Sequence, residues 1–258
     1  MSLRRRAVLA AGLAAAAWPA QAAGPLATVA IDRSQTGWWR DRHAAKLREL
    51  KAGPVELIVL GDSILHNFER VGPPAYYDYQ PVWQRFYGDR HAVNLGFKGD
   101  ATSHLMWRMG HGELDGIAPK VAVVLIGANN LGRVHWPTAE NIAGVTAVVD
   151  TARKKLPRTH ILLLGILPSD RSPWASQTTL EVNAGLAARY GSGAVAGVSY
   201  LDVGKVLLRD GRADHALYYD PMLSPPEPTL HPTPEGMTRI ARAMEPTLAR
   251  LLGDKLHG

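Results

Sequence analysis

Five short segments of the chain are apolar without polar alternation: residues 55–60, 91–95, 121–126, 160–165 and 198–201. Each is rich in Val, Ile or Leu. Runs of this kind have no wet face, so they predict strands covered on both sides. Between them the period changes. In 138–156, Ile142, Val145, Val149, Ala152 and Leu156 share one helical stripe, with Thr138 placed to cap the start and Pro157 following the end. Segments 178–190 and 234–252 read the same way. Strands alternating with helices predict right-handed crossovers and a parallel five-stranded sheet with helices on both faces, an α/β fold. No internal repeat or long low-complexity linker interrupts the pattern after residue 22.

In open sheets of this class, ligands bind beyond the carboxyl ends of the strands. Those ends carry the candidate chemistry. The first ends in Gly61-Asp62-Ser63, the second in Asn94-Leu95-Gly96 with Phe97-Lys98-Gly99-Asp100 after it, and the third in Gly127-Ala128-Asn129-Asn130. His231 lies in Leu230-His231-Pro232-Thr233-Pro234, just before the last helix. A serine hydroxyl is a weak nucleophile until a base takes its proton, and a neutral histidine suits that task. Attack on an ester carbonyl creates a negative oxygen, which fixed N–H donors stabilise. Ser63 can offer its own N–H at a strand-to-helix turn, Gly99 its backbone, and Asn129 its side chain. Each motif alone is common in turns and caps; their order at successive strand ends is the signal.

Composition narrows the setting. The chain has 258 residues, 46% hydrophobic and 20% charged, enough for one sizeable core. Arg4, Arg5 and Arg6 precede an apolar, small-residue run to Trp18, and Ala20-Gln21-Ala22 follows. This is the layout of a cleaved secretion signal over residues 1–22, with adjacent arginines that suit a twin-arginine route. The run is short for a membrane span, so no stable membrane insertion is expected after cleavage. Removing 1–22 takes three arginines and no acid, lowering the net charge from +6 to +3. There is no arginine-rich arm or lysine run, so nucleic acid is not an expected partner. The absence of cysteine excludes disulfides and thiolate catalysis. The expected organisation is a signal over 1–22, an N-terminal extension over 23–55 packed on the domain, and a hydrolase domain over 56–258.

The ordered set Ser63, Gly99, Asn129 and His231 resembles the signature of the SGNH or GDSL-type hydrolases. The closer likeness is to the platelet-activating-factor acetylhydrolase catalytic-subunit subfamily. It is carried by Asn94–Thr102, Leu105-Met106-Trp107-Arg108-Met109, Gly112-Glu113-Leu114, Pro119-Lys120-Val121, Gly127–Asn130 and Leu163–Pro168. The resemblance implies a flavodoxin-like three-layer α/β/α sandwich and hydrolysis through an acyl-enzyme, without metal or cofactor. By the same resemblance Ser63 is the nucleophile, His231 the base, and the Ser63 and Gly99 amides with the Asn129 side chain form the oxyanion hole.

One position departs from the family pattern. Where an aspartate usually orients the histidine, three residues before it, this chain has Pro228. The Pro228 main-chain carbonyl, Glu227 or Asp220 can take that role. The carbonyl is preferred because Pro225, Pro226 and Pro228 stiffen the backbone there. Lys98 beside the oxyanion glycine is either a contact for an acidic substrate or a solvated charge. Tyr76, Tyr77 and Tyr79 either line the substrate pocket or pack their loop, and Trp38-Trp39 is expected to pack against the sheet. The expected function is a secreted, periplasmic or extracellular serine esterase acting on short-chain esters, O-acetyl groups of small molecules or carbohydrates foremost. An acyltransferase using the same site, and a catalytically weak binding protein on the same fold, stay open at this point.

Overall fold

The computed structural model describes residues 24–73, 75–218 and 229–258. Five parallel strands form the central sheet: β1 Leu57–Gly61, β2 Ala92–Gly96, β3 Val121–Leu125, β4 His160–Leu164 and β5 Val198–Leu201. Their order is β2-β1-β3-β4-β5, the doubly wound order of flavodoxin-like folds. All five expected apolar runs became strands, each within two residues of its expected ends. β1 and β3 are buried along their whole length, as unalternating apolar runs require.

The helices are α1 Gly37–Glu49, α2 Ser63–His66, α3 Gln80–Tyr87, α4 Thr102–Arg108, α5 Thr138–Lys155, α6 Pro173–Tyr190 and α7 Pro234–Leu252. α5 packs on both α4 and α6, while α3 packs on α7. Between these layers lie Leu57, Ile58, Leu60, Val124, Ile161, Leu162, Val149, Leu186, Ile240 and Leu248, all buried. Burying such a side chain stabilises by about 1.5–3 kcal/mol relative to exposure.

Two expectations about helix ends change. Thr138 does not cap α5: Pro137 occupies the cap position, and the Thr138 hydroxyl donates to Glu181 at 2.6 Å. α6 begins at Pro173, five residues before the expected start, because the Ser172 hydroxyl accepts the Ala175 N–H at 3.1 Å and Pro173 is suited to the first helical position. A short antiparallel pair, β6 Leu208–Arg209 with β7 Arg212–Ala213, lies beyond β5. Ahead of the sheet, residues 26–28 pack on α4 and α5, and Trp39 of α1 is fully buried. The expected signal over 1–22 lies outside the described residues.

Candidate active site

β1 runs into α2 with no intervening loop, so Ser63 is the first residue of a helix at a strand's carboxyl end. Asp62 makes the turn. Its Oδ1 accepts the Ile64 N–H at 3.0 Å, capping α2. The opening N–H groups of a helix have no acceptor within it, which leaves the Ser63 amide available at the rim. Asp62 is 1% exposed, and burial pushes its carboxyl up to about 7. α2 is held from the neighbouring strand, where the Asn94 amide donates to the Leu65 carbonyl at 2.8 Å.

Residues 97–101 form the second wall. Phe97 N–H donates to Gly61 O at 3.1 Å and Asp100 N–H to Phe97 O at 3.2 Å. Lys98 N–H donates to His66 Nδ1 at 3.2 Å, and Ala101 N–H to His104 Nδ1 at 3.0 Å. Both imidazoles are kept neutral for this accepting role: burial lowers His66 to about 3 and His104 to about 4. That leaves Gly99 as the only residue of this stretch whose amide finds no acceptor among the described residues. Its φ of +76° is a conformation that glycine adopts without cost. The third wall is Asn129, 6% exposed, one of whose amide hydrogens is donated to Asp100 O at 3.0 Å. Its second N–H is free to serve another acceptor.

His231 closes the site from the far end of the chain. Its Nε2 lies 2.9 Å from Ser63 Oγ across 168 residues of sequence. The loop carrying it is pinned on both sides. Thr233 N–H donates to Leu217 O at 2.7 Å, and the Tyr79 hydroxyl to Pro232 O at 2.7 Å. Asp170 N–H donates to Thr229 Oγ1 at 3.0 Å. Asp220, Glu227 and Pro228, the candidates for orienting the ring, lie outside the described residues.

The structure therefore brings Ser63, Gly99, Asn129 and His231 to one rim. The three tyrosines divide. Tyr79 is buried under the histidine loop, Tyr77 lies under the Arg70 guanidinium at 4.2 Å, and the Tyr76 side chain is outside the described atoms. Trp39 packs against Phe97 and donates from Nε1 to Asp100 at 2.9 Å, whereas Trp38 is exposed. Sequence reasoning missed three arginines at this rim: Arg33 and Arg133 beside Gly99, and Arg171, which donates to Ala128 O at 3.0 Å. They stand at unpatterned loop positions, so periodicity carries no signal for them. Among the described residues, no group of three or more His, Cys, Asp or Glu is arranged to hold a metal ion.

A hydroxyl beside an imidazole, facing backbone donors with no acceptor of their own, can take an acyl group from an alcohol, which is the chemistry of α/β ester hydrolases. The chain belongs to the GDSL-like lipase/acylhydrolase family, whose profile matches residues 59–239. It is an ester hydrolase of that type. It is 30% identical over 222 residues to the platelet-activating factor acetylhydrolase IB subunit alpha1 of Homo sapiens, covering 84% of this chain and 85% of the relative. Among solved structures it resembles a GDSL-like lipase from Bacteroides thetaiotaomicron, with a TM-score of 0.63, 15% identity, and coverage of 81% and 97% of the two chains. A carbohydrate acetylesterase from Sinorhizobium meliloti gives a TM-score of 0.57 at 14% identity over 76% and 99%. These two likenesses speak for the fold.

Proposed function

We propose that this chain is an exported serine esterase that removes short acyl groups, acetyl foremost, through an acyl-enzyme on Ser63. The observation that carries the mechanism is the 2.9 Å contact between His231 Nε2 and Ser63 Oγ. His231 takes the hydroxyl proton as Oγ attacks the ester carbonyl. The tetrahedral oxyanion is received by the Ser63 and Gly99 amides and the second N–H of Asn129. His231 then returns the proton to the departing alcohol, and water activated by the same ring releases the acid. The scheme uses no metal or cofactor. Each oxyanion donor of this kind is worth about 100- to 1000-fold in rate.

Support for a short acyl group comes from the acetylhydrolase relative and the acetylesterase neighbour. Support for export comes from the arginine cluster, apolar run and Ala-Gln-Ala site at the N-terminus, and an exported enzyme meets acetylated carbohydrate as well as small esters. Among the described residues no helix is long and apolar enough to cross a membrane. The test compares the protein lacking residues 1–22 with its Ser63→Ala variant on 4-nitrophenyl acetate, alongside labelling by a fluorophosphonate. We expect the variant to lose about 10⁴-fold or more in kcat and all labelling. Equal rates in the two proteins would remove Ser63 from the mechanism.

A further inference from the structure

His231 is followed by Pro232 and, two residues further on, by Pro234. A proline has no N–H to donate, so the chain beside the base has few main-chain groups by which it can be held. Thr233 N–H donates to Leu217 O at 2.7 Å, and Pro232 O accepts the Tyr79 hydroxyl at 2.7 Å. Pro232 is buried, and a Cβ on Gly236 would come within 2.9 Å of the Pro232 Cβ, so the ring is wedged against the first turn of α7. The hold by Leu217 comes from the segment after β7. The hold by Tyr79 comes from the segment that follows the nucleophile.

That segment runs back to Ser63 through a relay of main-chain hydrogen bonds. Asn67 N–H donates to Ser63 O, Arg70 N–H to Asn67 O at 2.9 Å, and Tyr79 N–H to Arg70 O at 3.1 Å. Tyr79 is 4% exposed and caps the start of α3, its carbonyl accepting the Val82 and Trp83 N–H groups at 3.1 Å. The next residue adds a second tie, as Gln80 Nε2 donates to Phe68 O at 2.9 Å. α3 in turn packs on α7, the helix that His231 precedes. Covalent chain and hydrogen bonds thus close a ring, from Ser63 through the turn Asn67–Glu69 to Tyr79, Pro232 and His231, and back to Ser63 Oγ at 2.9 Å. Without the Tyr79 hydroxyl the ring is open at Pro232, one residue from the base.

We propose that Tyr79 is a positioning residue for catalysis: its hydroxyl, acting through Pro232 O, sets the distance and angle at which His231 meets Ser63. The proton transfer itself stays with His231. This rests on the esterase proposal and adds a member to its machinery. Pro228, which stands where the family pattern has the aspartate that orients the ring, sharpens the need. A base without that acid depends more on where its main chain is placed. A misplacement of about 1 Å can cost on the order of 100-fold in rate, so a partial loosening gives a smaller but measurable fall.

Tyr79→Phe keeps the aromatic ring and removes one donor. Ile161→Val, a small core loss near the amino end of β4, serves as the control for stability alone. Both should lower the thermal midpoint by roughly 1–6 °C. At a temperature where both are folded, hydrolysis of 4-nitrophenyl acetate by Tyr79→Phe should fall about tenfold in kcat and equally in kcat/KM, with KM within about twofold of the parent. Its labelling by a fluorophosphonate should slow by the same factor, whereas Ile161→Val should match the parent in both assays. A kcat for Tyr79→Phe within about twofold of the parent, or an equal fall in Ile161→Val, overturns the proposal. Failure of the esterase proposal looks different, because the parent then neither hydrolyses the acetate nor takes the probe. In that case the nitrogen NMR resonance of His231 Nε2, identified by its loss in His231→Gln, carries the test. A resonance shifted in Tyr79→Phe and not in Ile161→Val supports the positioning role, and one unmoved in Tyr79→Phe overturns it.

Discussion

Asp62 is an acid in a dry place. One oxygen caps α2, and the other has no partner among the described residues. Burial raises the carboxyl from 3.8 to about 7. Between those values the unfolded chain has lost the proton and the folded protein keeps it, so this residue makes stability fall as pH rises from about 4 to about 7. Above that window the full penalty remains. Asp62→Asn retains an oxygen to accept the Ile64 N–H and has no charge to bury. Its stability gain over the parent should therefore be near zero at pH 4 and on the order of a few kcal/mol at pH 8. Urea unfolding at the two pH values checks this, and a gain independent of pH would show an ordinary carboxyl. The Gly-Asp-Ser triplet marked this position in the sequence; its titration depends on who surrounds it, which no triplet records.

At the scale of elements, the join between β2 and α2 is one of the tight points near the site. A Cβ on Gly96 would sit 2.3 Å from His66 N and 2.7 Å from Leu65 C. These are backbone atoms, which cannot step aside as a flexible side chain does. Gly96→Ala should cost about 1–3 kcal/mol, lowering the thermal midpoint by roughly 2–12 °C. Because α2 begins with Ser63, hydrolysis of 4-nitrophenyl acetate at a temperature where the variant is folded should fall as well. An unchanged midpoint would mean that strand and helix slide apart freely. Strand positions were legible because strands buried on both faces leave unbroken Val, Ile and Leu. α5 and α7 were legible because each carries a long apolar stripe. α1, α2 and α4 were not. α1 buries only Trp39, His43 and Lys46, and four- or seven-residue helices are too short to show a period.

For the whole molecule, the N-terminal segment and the oxyanion loop are tied through one carboxylate. Asp100 accepts Arg33 and Trp39 from before the sheet and Arg108 from α4. Arg108 is 0% exposed, lies 3.8 Å from the Phe97 ring centre, and also pairs with the buried Glu113. Arg108→Met strands two buried carboxylates and should cost about 3–5 kcal/mol, read by denaturant unfolding. A loss under about 1 kcal/mol would show that Arg33 and Trp39 satisfy Asp100 without it.

By itself the sequence determined the α/β class and the five strands, and it pointed to Ser63, Gly99 and Asn129 after strand ends and to His231 ahead of the last helix, since each depends on local apolar period or on a short motif at an element's end. Parallel crossovers send the three strand ends to the same rim, whereas the meeting of His231 with Ser63 across 168 residues is a tertiary contact. Only the tertiary structure decided which amides on that rim stay unbonded, which histidines flanking the loop stay neutral, and that Arg33, Arg133 and Arg171 converge there. Those outcomes depend on distances between residues far apart in the chain. Burial and charge are sums over neighbours in space, and a linear pattern does not contain them.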